Sequence, residues 1–289
     1  MSTSISLNNG YTLGVIATGT MGTAVLNAIV NGINQNETTS PIPSRFFATV
    51  NSQKSVDRLI DQFGNKVEVT IGKNAEVVEK SDVIILACKP FMTENILHEI
   101  PNKFFKGKIL ISLLAGKTIA QITDMTGGNA LVVRAMTNTP SKLGAGMTVI
   151  SYPTKTDISY TNKVCDSISW IFNQTGRSIS MDEKYMDVAT ALCGSGPAFC
   201  FLMIEALSDG AVKMGMPYPI AQECAAQVLH GASQMVLEGS HPAVLRNAVC
   251  TPGGTTIGGL MILEDGKVRS SVANAVVEAT NIATSLSKK

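Results

Sequence analysis

The stretch Leu13-Gly14-Val15-Ile16-Ala17-Thr18-Gly19-Thr20-Met21-Gly22 decides how the first half of the chain is interpreted. An apolar run of strand length leads into a turn that contains glycines, and a helical run follows to about Val30. At a strand–helix junction this pattern is the fingerprint that binds a dinucleotide pyrophosphate. The second glycine lets the backbone approach the phosphates, and the third lets helix and strand pack closely. Ala17 stands where the first glycine is usual, so we expect a negative φ there and a slightly different turn.

Apolar runs alternate with helical runs through the first half of the chain. The predicted strands cover 12–16, 45–50, 66–70, 82–88, 109–114 and 131–136, and the helical runs include 20–30, 55–63 and 91–100. Strands that are apolar throughout are typical of a parallel sheet buried on both faces. The sequence therefore predicts an α/β fold with a doubly wound, Rossmann-type N-terminal domain.

The second half of the chain reads as all-helical. After Gly144 a few shorter strands and a helix around 161–172 follow, and from about Met181 the pattern is helical. The segment from Gly196 to Met214 is apolar nearly all round, which predicts a central buried helix. We place the boundary at residue 180, with the Rossmann-type domain in 1–180 and the helical domain in 181–289.

Composition narrows the class of protein. The 289 residues suit two domains, and 16% charged residues with a net charge of +1 give no reason to expect nucleic acid or an anionic membrane as partner. Such low charge also suits a large subunit interface. The six cysteines show no C-x-x-C pair, so we expect reduced thiols and no metal site. With no leader pattern in the first ten residues and no long apolar span, we expect a cytoplasmic protein.

The end of the second strand indicates which dinucleotide binds. An acidic residue there would hold the ribose 2′-hydroxyl of NAD. Here the segment from Thr49 to Lys54 contains Thr49, Asn51, Ser52 and Lys54, and the first acidic residue after the strand is Asp57. Hydroxyls, amides and a lysine suit a 2′-phosphate, so NADP is favoured. The alternative is that Thr49 and Ser52 cap the next helix.

Several further segments resemble the pyrroline-5-carboxylate reductase family. They are Ala87-Cys88-Lys89-Pro90, Met136-Thr137-Asn138-Thr139-Pro140, Cys193-Gly194-Ser195-Gly196-Pro197-Ala198-Phe199, Glu205-Ala206-Leu207-Ser208-Asp209-Gly210, and His241-Pro242 followed by 249–260. The resemblance covers essentially the whole chain, with Ala17 and Cys193 as departures from the family's glycine and serine. It implies reduction of the cyclic imine 1-pyrroline-5-carboxylate to L-proline, the final step of proline biosynthesis. It also implies NADPH as the preferred cofactor, with NADH possible, and a homodimer or higher homo-oligomer.

The resemblance also assigns substrate-binding residues to the helical domain. Thr256 matches the position whose hydroxyl approaches the substrate ring nitrogen and is the candidate catalytic residue, and Thr251 matches a hydroxyl near the substrate carboxylate. Gly253, Gly254 and Thr255 lie between them, where backbone N–H groups at a helix start can face an anion. The alternative is a helix–helix connector with threonine caps.

The candidate cofactor-binding residues lie in the glycine turn and at the carboxyl ends of the predicted strands. They are Ala17, Thr18, Gly19, Thr20, Met21, Gly22, Thr49, Asn51, Ser52, Asn74, Ala87, Lys89, Pro90, Ala115, Gly116 and Asn138. A helix cap is the alternative for Asn74. A catalytic role for Lys89 stays open.

Two other functions share this two-domain plan. A β-hydroxyacid dehydrogenase typically carries a catalytic lysine on a helix early in its second domain. Here Lys184 and Lys213 flank the Gly-Ser-Gly-Pro run instead of lying in a matching motif. A non-catalytic dinucleotide sensor is the second alternative. Retention of both the glycine turn and the Thr-Pro-Gly-Gly-Thr-Thr loop argues against it.

Overall fold

The computed structural model describes residues 4–33, 38–154 and 159–287. Their contacts divide the chain into two compact units. The first holds the described residues up to Gly194 together with those from Ala279 onward, and the second is Ser195–Glu278. This division lies beyond the boundary that we placed at residue 180, although the sheet itself ends there.

The first unit is built on an eight-stranded sheet with strand order β3-β2-β1-β4-β5-β6-β7-β8. Its strands are β1 (Tyr11–Ile16), β2 (Pro43–Val50), β3 (Glu68–Ile71), β4 (Val83–Leu86), β5 (Ile109–Ser112), β6 (Leu131–Met136), β7 (Gly146–Ser151) and β8 (Gly176–Ser180). The first six strands are parallel, β7 runs antiparallel to β6, and β8 is parallel to β7. This order confirms the predicted doubly wound domain. Between β1 and β4 the order reverses, and ligands bind at such a point.

Helices cover the sheet and make up the second unit. Those of the first unit are α1 (Thr20–Gly32), α2 (Gln53–Phe63), α3 (Asn74–Lys80), α4 (Thr93–His98), α5 (Ile119–Met125), α6 (Asn162–Asn173) and α7 (Met186–Ala189). A π-helical turn (Thr190–Ser195) leads into α8 (Gly196–Lys213), α9 (Tyr218–Leu237), α10 (Pro242–Ala248), α11 (Thr255–Asp265) and α12 (Val268–Ser287), whose last residues belong to the first unit. The helical runs predicted before residue 180 are confirmed, with their ends shifted by a few residues.

The two faces of strand β4 show why the strands are apolar throughout. Val83 and Ile85 join one buried cluster with side chains of α1, α2 and α6. Ile84 and Leu86 point to the other face and join a second cluster with side chains of α3, α4 and α5. Because both faces are covered by helices, neither set of alternate residues is left for water.

A buried arginine explains why the segment after the sheet belongs to the first unit. Arg134 on β6 is only 3% exposed, and a buried cation has to be paired. Its Nη1 lies 3.4 Å from a Glu183 oxygen and its Nη2 lies 3.6 Å from a carboxylate oxygen of Asp187. Glu183 also accepts the Ile119 N–H at 2.7 Å, and the Ser287 hydroxyl donates to Asp187 at 3.1 Å. The segment after β8 and the end of α12 are therefore held against the sheet.

Helix α8 departs from the sequence prediction, because it is not buried within the single chain. Ser208 is its buried residue. The helical segment Glu183–Lys213 is long and apolar enough to cross a membrane by length and composition, and little of it is buried. Large apolar side chains are also exposed on α8, α9 and α11, among them Phe201, Leu202, Leu207, Val228, Met235, Leu237, Met261, Ile262 and Leu263. The apolar pattern thus indicates a surface that is buried against something else.

The turn after β1 also departs from the prediction, because Ala17 has a φ of +57°. Three hydrogen bonds hold it there. The Ala17 N–H donates to the Thr49 hydroxyl at 3.0 Å, the Thr18 N–H donates to the Thr49 carbonyl at 2.8 Å, and the Gly19 N–H donates to the Ala17 carbonyl at 2.7 Å. A left-handed alanine costs on the order of 1 kcal/mol, which these bonds offset. The turn keeps the left-handed form that glycine adopts freely.

The side chain of Lys108 contacts the C-terminal end of helix α3. The Lys108 ammonium donates to the carbonyl oxygens of Val78, Glu79 and Ser81 at 2.6, 2.6 and 2.7 Å. These carbonyls lie at the C-terminal end of α3, where a helix runs out of N–H partners and a positive charge is favoured by the helix dipole; the Val78 carbonyl also accepts the Ser81 N–H at 3.3 Å. Partial burial lowers the pKa of this ammonium, and the nearby carboxylates of Asp82 and Glu79 raise it by a smaller amount.

We expect Lys108→Met to lower the free energy of unfolding of the first unit by about 2 kcal/mol, because three charge-assisted hydrogen bonds are lost. Urea denaturation followed by the fluorescence of Trp170, the one tryptophan, measures this change. Lys106→Met removes an exposed lysine two residues away and serves as the control, with an expected change within about 0.5 kcal/mol. Equal stabilities of the two variants would contradict the capping role.

We expect Ala17→Gly to raise the free energy of unfolding by about 0.5 kcal/mol. Relief of the left-handed alanine outweighs the larger chain entropy that glycine brings to the unfolded state. Ala28→Gly, within α1, is the matched control and is expected to cost about 1 kcal/mol. The same urea titration compares them, and a loss at Ala17 equal to that at Ala28 would argue against the left-handed turn.

Candidate active site

A cavity of about 350 Å³ lies at the carboxyl ends of β1, β2 and β4, where the strand order reverses. It is lined by Ala17, Thr18, Gly19, Thr20, Thr49, Val50, Asn51, Ser55, Arg58, Gly72, Asn74, Ala87, Cys88, Lys89, Met92 and Ile96. Most of the predicted cofactor-binding residues are therefore brought together around one space. Its position matches the ligand site of doubly wound sheets.

The start of helix α1 fits the phosphates of a dinucleotide. Gly19 is the N-cap, no side chain caps the helix, and its first turn carries no acidic residue. The first helical bond runs from the Thr23 N–H to the Gly19 carbonyl at 2.9 Å, so the N–H groups of Thr20, Met21 and Gly22 come before it. Beside Gly19 the space is open, since a Cβ there would meet nothing closer than 3.9 Å. Free N–H groups and a positive helix end suit an anion.

Gly22 has the packing role predicted for the third glycine. A Cβ at this position would lie 3.0 Å from the Ala87 Cβ and 3.2 Å from a Val15 methyl group. Helix α1 therefore approaches β1 and the end of β4 more closely than a larger residue would allow. Neither Gly22 nor Met21 is among the residues that line the cavity.

Thr49 connects the ends of β1 and β2 to the start of α3, and it does not cap a helix. Its hydroxyl is buried, accepts the Ala17 N–H at 3.0 Å and donates to the Asn74 side-chain oxygen at 2.7 Å. Asn74 is the first residue of α3 and likewise makes no cap. Ser52 behaves differently, because its hydroxyl accepts the Ser55 N–H and caps α2. The capping alternative therefore holds for Ser52 alone among these three.

Arg58 also lines the cavity, although it is not among the predicted site residues. Its Nη2 donates to the Thr18 carbonyl and to the Thr23 hydroxyl, each at 3.3 Å. Arg58 follows Ser55 by three residues on α2, so the two share a helix face. The three-residue spacing from Ser55 is the one feature of the sequence that could have indicated Arg58 as a cavity residue. Lys54, which the sequence suggested for a 2′-phosphate, is exposed and is not among the lining residues.

The residues after β4 form the opposite wall of the cavity. Ala87 and Lys89 line it, while Pro90 begins a short 3-10 turn, Pro90–Met92. Cys88 also lines it, and burial raises the pKa of its thiol, which lies 3.7 Å from the Thr93 hydroxyl. A thiol with a raised pKa stays protonated and is a weak nucleophile, so its contribution is to the shape of the wall.

Seven of the sixteen predicted cofactor-binding residues lie outside the lining of this cavity, and besides Met21, Gly22, Ser52 and Pro90 they are Ala115, Gly116 and Asn138. Ala115 packs against the small cluster of Met136, Val149, Met186 and Ala189. Gly116, with a φ of +71°, lies against Leu286 near the end of α12.

The last of these residues, Asn138, uses both ends of its amide within the chain. Its nitrogen donates to the Cys193 carbonyl at 3.0 Å, and its oxygen accepts the Met147 N–H at 3.1 Å. Asn138 therefore anchors the π-helical turn to the end of β6. The strand-end position alone did not reveal these partners.

The predicted substrate-binding loop lies in the second unit, before α11. The Gly254 N–H donates to the Thr251 carbonyl at 3.0 Å, and Gly253 has a φ of +67°. Gly254 is the N-cap of α11, and a Cβ there would collide with the Thr251 hydroxyl. Two glycines are thus required by the turn itself.

The start of α11 is uncapped, like that of α1. No side chain caps it and its first turn carries no acidic residue, so the threonine-cap alternative does not describe this helix start. The first helical bond runs from the Gly258 N–H to the Gly254 carbonyl at 3.4 Å, after the N–H groups of Thr255 and Thr256. Thr256 is half-buried and Thr255 is exposed. A carboxylate would be accommodated by such a helix start.

Models of known protein families match both the N-terminal and the C-terminal part of the chain. A family model described as pyrroline-5-carboxylate reductase dimerisation matches residues 183–286, and one described as NADP oxidoreductase, coenzyme F420-dependent, matches residues 12–116. Pyrroline-5-carboxylate reductase of Schizosaccharomyces pombe is 44% identical over 284 residues, which cover 95% of this chain and 98% of that protein.

Solved structures show the same likeness. The pyrroline-5-carboxylate reductase of Coxiella burnetii has a TM-score of 0.82 at 30% identity, covering 97% of this chain and 100% of the other. A Plasmodium falciparum pyrroline carboxylate reductase with NADP bound has a TM-score of 0.81 at 28% identity, covering 96% of this chain and 98% of the other. With relatives this similar over nearly their whole length, the chain belongs to the pyrroline-5-carboxylate reductase family.

Proposed function

We propose that this protein reduces 1-pyrroline-5-carboxylate to L-proline with NADPH, the last step of proline biosynthesis. The observation that carries the proposal is the uncapped start of α11 at the Thr-Pro-Gly-Gly-Thr-Thr loop. A dinucleotide cavity alone suits many oxidoreductases, whereas a second anion-binding helix start suits a substrate that carries a carboxylate. Membership of the family adds the identity of the substrate.

NADP is the cofactor that the cavity favours. Among its described lining residues there is no Asp or Glu to hold a bare ribose 2′-hydroxyl, and two cations, Arg58 and Lys89, are present. The structure from Plasmodium falciparum was solved with NADP bound. When bound, NADPH supplies the hydride that passes from nicotinamide C4 to the imine carbon, and the ring nitrogen ends protonated.

The residues of the chain position and stabilise the reactants. The N–H groups of Thr20, Met21 and Gly22 are proposed to hold the pyrophosphate at the start of α1. In the second unit, the backbone of Gly253 to Thr255 and the Thr251 hydroxyl are proposed to hold the substrate carboxylate. The Thr256 hydroxyl is proposed to hydrogen-bond the substrate ring nitrogen. This catalysis works by orientation and electrostatics and uses no covalent nucleophile.

The proposed reaction is tested by mixing the purified chain with 1-pyrroline-5-carboxylate and NADPH or NADH. We expect loss of the reduced nicotinamide absorbance, formation of one proline per cofactor oxidised, and a higher kcat/KM with NADPH. Absence of turnover with both cofactors would refute the proposal. Turnover of 3-hydroxy acids in its place would favour a β-hydroxyacid dehydrogenase.

We expect Thr256→Ala to lower kcat/KM for the imine by one to two orders of magnitude, because a hydrogen bond to a charged group of about 1.5–3 kcal/mol is lost in the transition state. Thr256→Ser keeps the hydroxyl and is the matched control, expected to retain most of the activity. Unchanged circular dichroism and NADPH affinity would show that both variants are folded. An alanine variant as active as the serine variant would remove Thr256 from the site.

We propose further that the chain assembles as a homodimer or a larger homo-oligomer. The region 183–286, which matches the dimerisation model, includes the helices α8, α9 and α11 with their exposed apolar side chains. A second subunit would bury this surface, which is too apolar to face water in a stable soluble chain. Light scattering is expected to give at least twice the 30.5 kDa of one chain, and a monomer would contradict the proposal.

Lipid is the other environment that covers an exposed apolar helix. The segment Glu183–Lys213 lies wholly within the region that matches the dimerisation model, so we propose a partner subunit and not lipid as its cover. The cytoplasmic location expected from the sequence stays a prediction. Fractionation of lysed cells tests both statements, with the chain expected in the supernatant after the membranes are removed.

A further inference from the structure

We infer that Arg58 selects NADPH over NADH by pairing with the 2′-phosphate of the cofactor. The inference rests on the proposed NADPH-dependent reduction and adds the residue that sets the cofactor choice. Arg58 is four residues beyond Lys54, the cation that the sequence suggested.

Arg58 lies where doubly wound domains bind the adenosine ribose of the cofactor. In doubly wound domains the ribose 2′-position lies at the carboxyl end of the second strand, and an arginine near that end accommodates the phosphate of NADP. Helix α2 follows β2 directly, and Arg58 lines the cavity together with Asn51 and Ser55. Lys89, the other cation of the lining, follows β4, which lies on the far side of β1.

The guanidinium of Arg58 is held in place but keeps donors free. Both of its hydrogen bonds, to the Thr18 carbonyl and the Thr23 hydroxyl, are made by Nη2. In the described part of the chain, Nη1 and Nε have no hydrogen-bond partner, and no carboxylate forms an ion pair with Arg58. A planar fork with unused N–H groups matches the bidentate geometry of a phosphate.

The surroundings of Arg58 favour the same ligand. Ser52 caps α2, and the first turn of this helix carries no acidic residue, so its positive end is not neutralised. The nearest acid in sequence, Asp57, accepts a hydrogen bond from Gln53 at 2.8 Å and does not line the cavity. A ribose with two hydroxyls leaves the Arg58 charge unmatched, whereas a 2′-phosphate pairs with it.

Calorimetric titration of the full chain with NADPH and with NADH, without substrate, tests the inference. Arg58→Ala is expected to raise the Kd for NADPH by about 10- to 100-fold, the equivalent of one charge-assisted hydrogen-bonded pair, and the Kd for NADH by less than about 2-fold. Arg58→Lys is expected to lie between the wild type and the alanine variant, because a lysine keeps the charge and loses the fork. 2′,5′-Adenosine bisphosphate, which carries only the phosphorylated ribose end, should follow NADPH.

Two matched variants separate the phosphate contact from other roles. Lys54→Ala removes a cation from the same helix outside the cavity, and its NADPH affinity is expected to stay within about 2-fold of the wild type. Thr23→Ala removes one bond that holds the guanidinium but leaves its charge, so it should weaken NADPH by less than Arg58→Ala does. Native Trp170 fluorescence in each variant checks that the first unit is folded.

An equal loss of NADPH and NADH affinity in Arg58→Ala would overturn the inference, because it would mean that Arg58 only supports the Thr18 turn. So would an unchanged NADPH affinity, or a selective loss in Lys54→Ala. The test is independent of the reaction. Selective, Arg58-dependent NADPH binding without imine reduction would refute the proposed function alone, and imine reduction with an Arg58-independent NADPH preference would refute this inference alone.

Discussion

Burial of the parallel sheet on both faces is the constraint on which the rest of the first unit depends. Alternate residues of β4 enter two separate apolar clusters, each closed by its own set of helices. With both faces covered, ligands reach the sheet only at the ends of its strands. The cavity at the carboxyl ends of β1, β2 and β4 follows from this, because the chain leaves the sheet in opposite directions on either side of β1.

At that edge, hydrogen bonds between distant residues shape the site. The Thr49 hydroxyl joins the ends of β1 and β2 to the start of α3, and it accepts the N–H of Ala17, which has a left-handed conformation. Arg58 adds a cation from α2 and is tied to the same turn through the Thr18 carbonyl. The proposed phosphate recognition is thus distributed over three elements that meet only in the folded chain.

The second unit is organised by a different requirement. Its helices expose apolar side chains along α8, α9 and α11, so a single chain does not satisfy them. The buried Arg134 and the amide of Asn138 hold the segment before α8 against the sheet. Helix α8 therefore follows directly from a segment that is fixed to the sheet. Assembly and substrate binding, as proposed, both depend on this unit, because the loop before α11 lies within it.

Local patterns in the sequence were sufficient for the fold class and for the uncapped helix starts after Gly19 and after Gly254. Apolar periodicity reports burial, and glycines before a helix report an open helix start, whatever lies further along the chain. Other features depended on residues far apart in sequence. The positive φ at Ala17 is accompanied by hydrogen bonds to the distant Thr49, and Arg58, not Lys54, lies at the cavity. The exposure of α8 shows the same limit, because an apolar pattern is identical for a helix buried in its own chain and one buried against another. Only the tertiary structure distinguishes these two kinds of helix, since it shows which surfaces are covered within the chain and which are exposed.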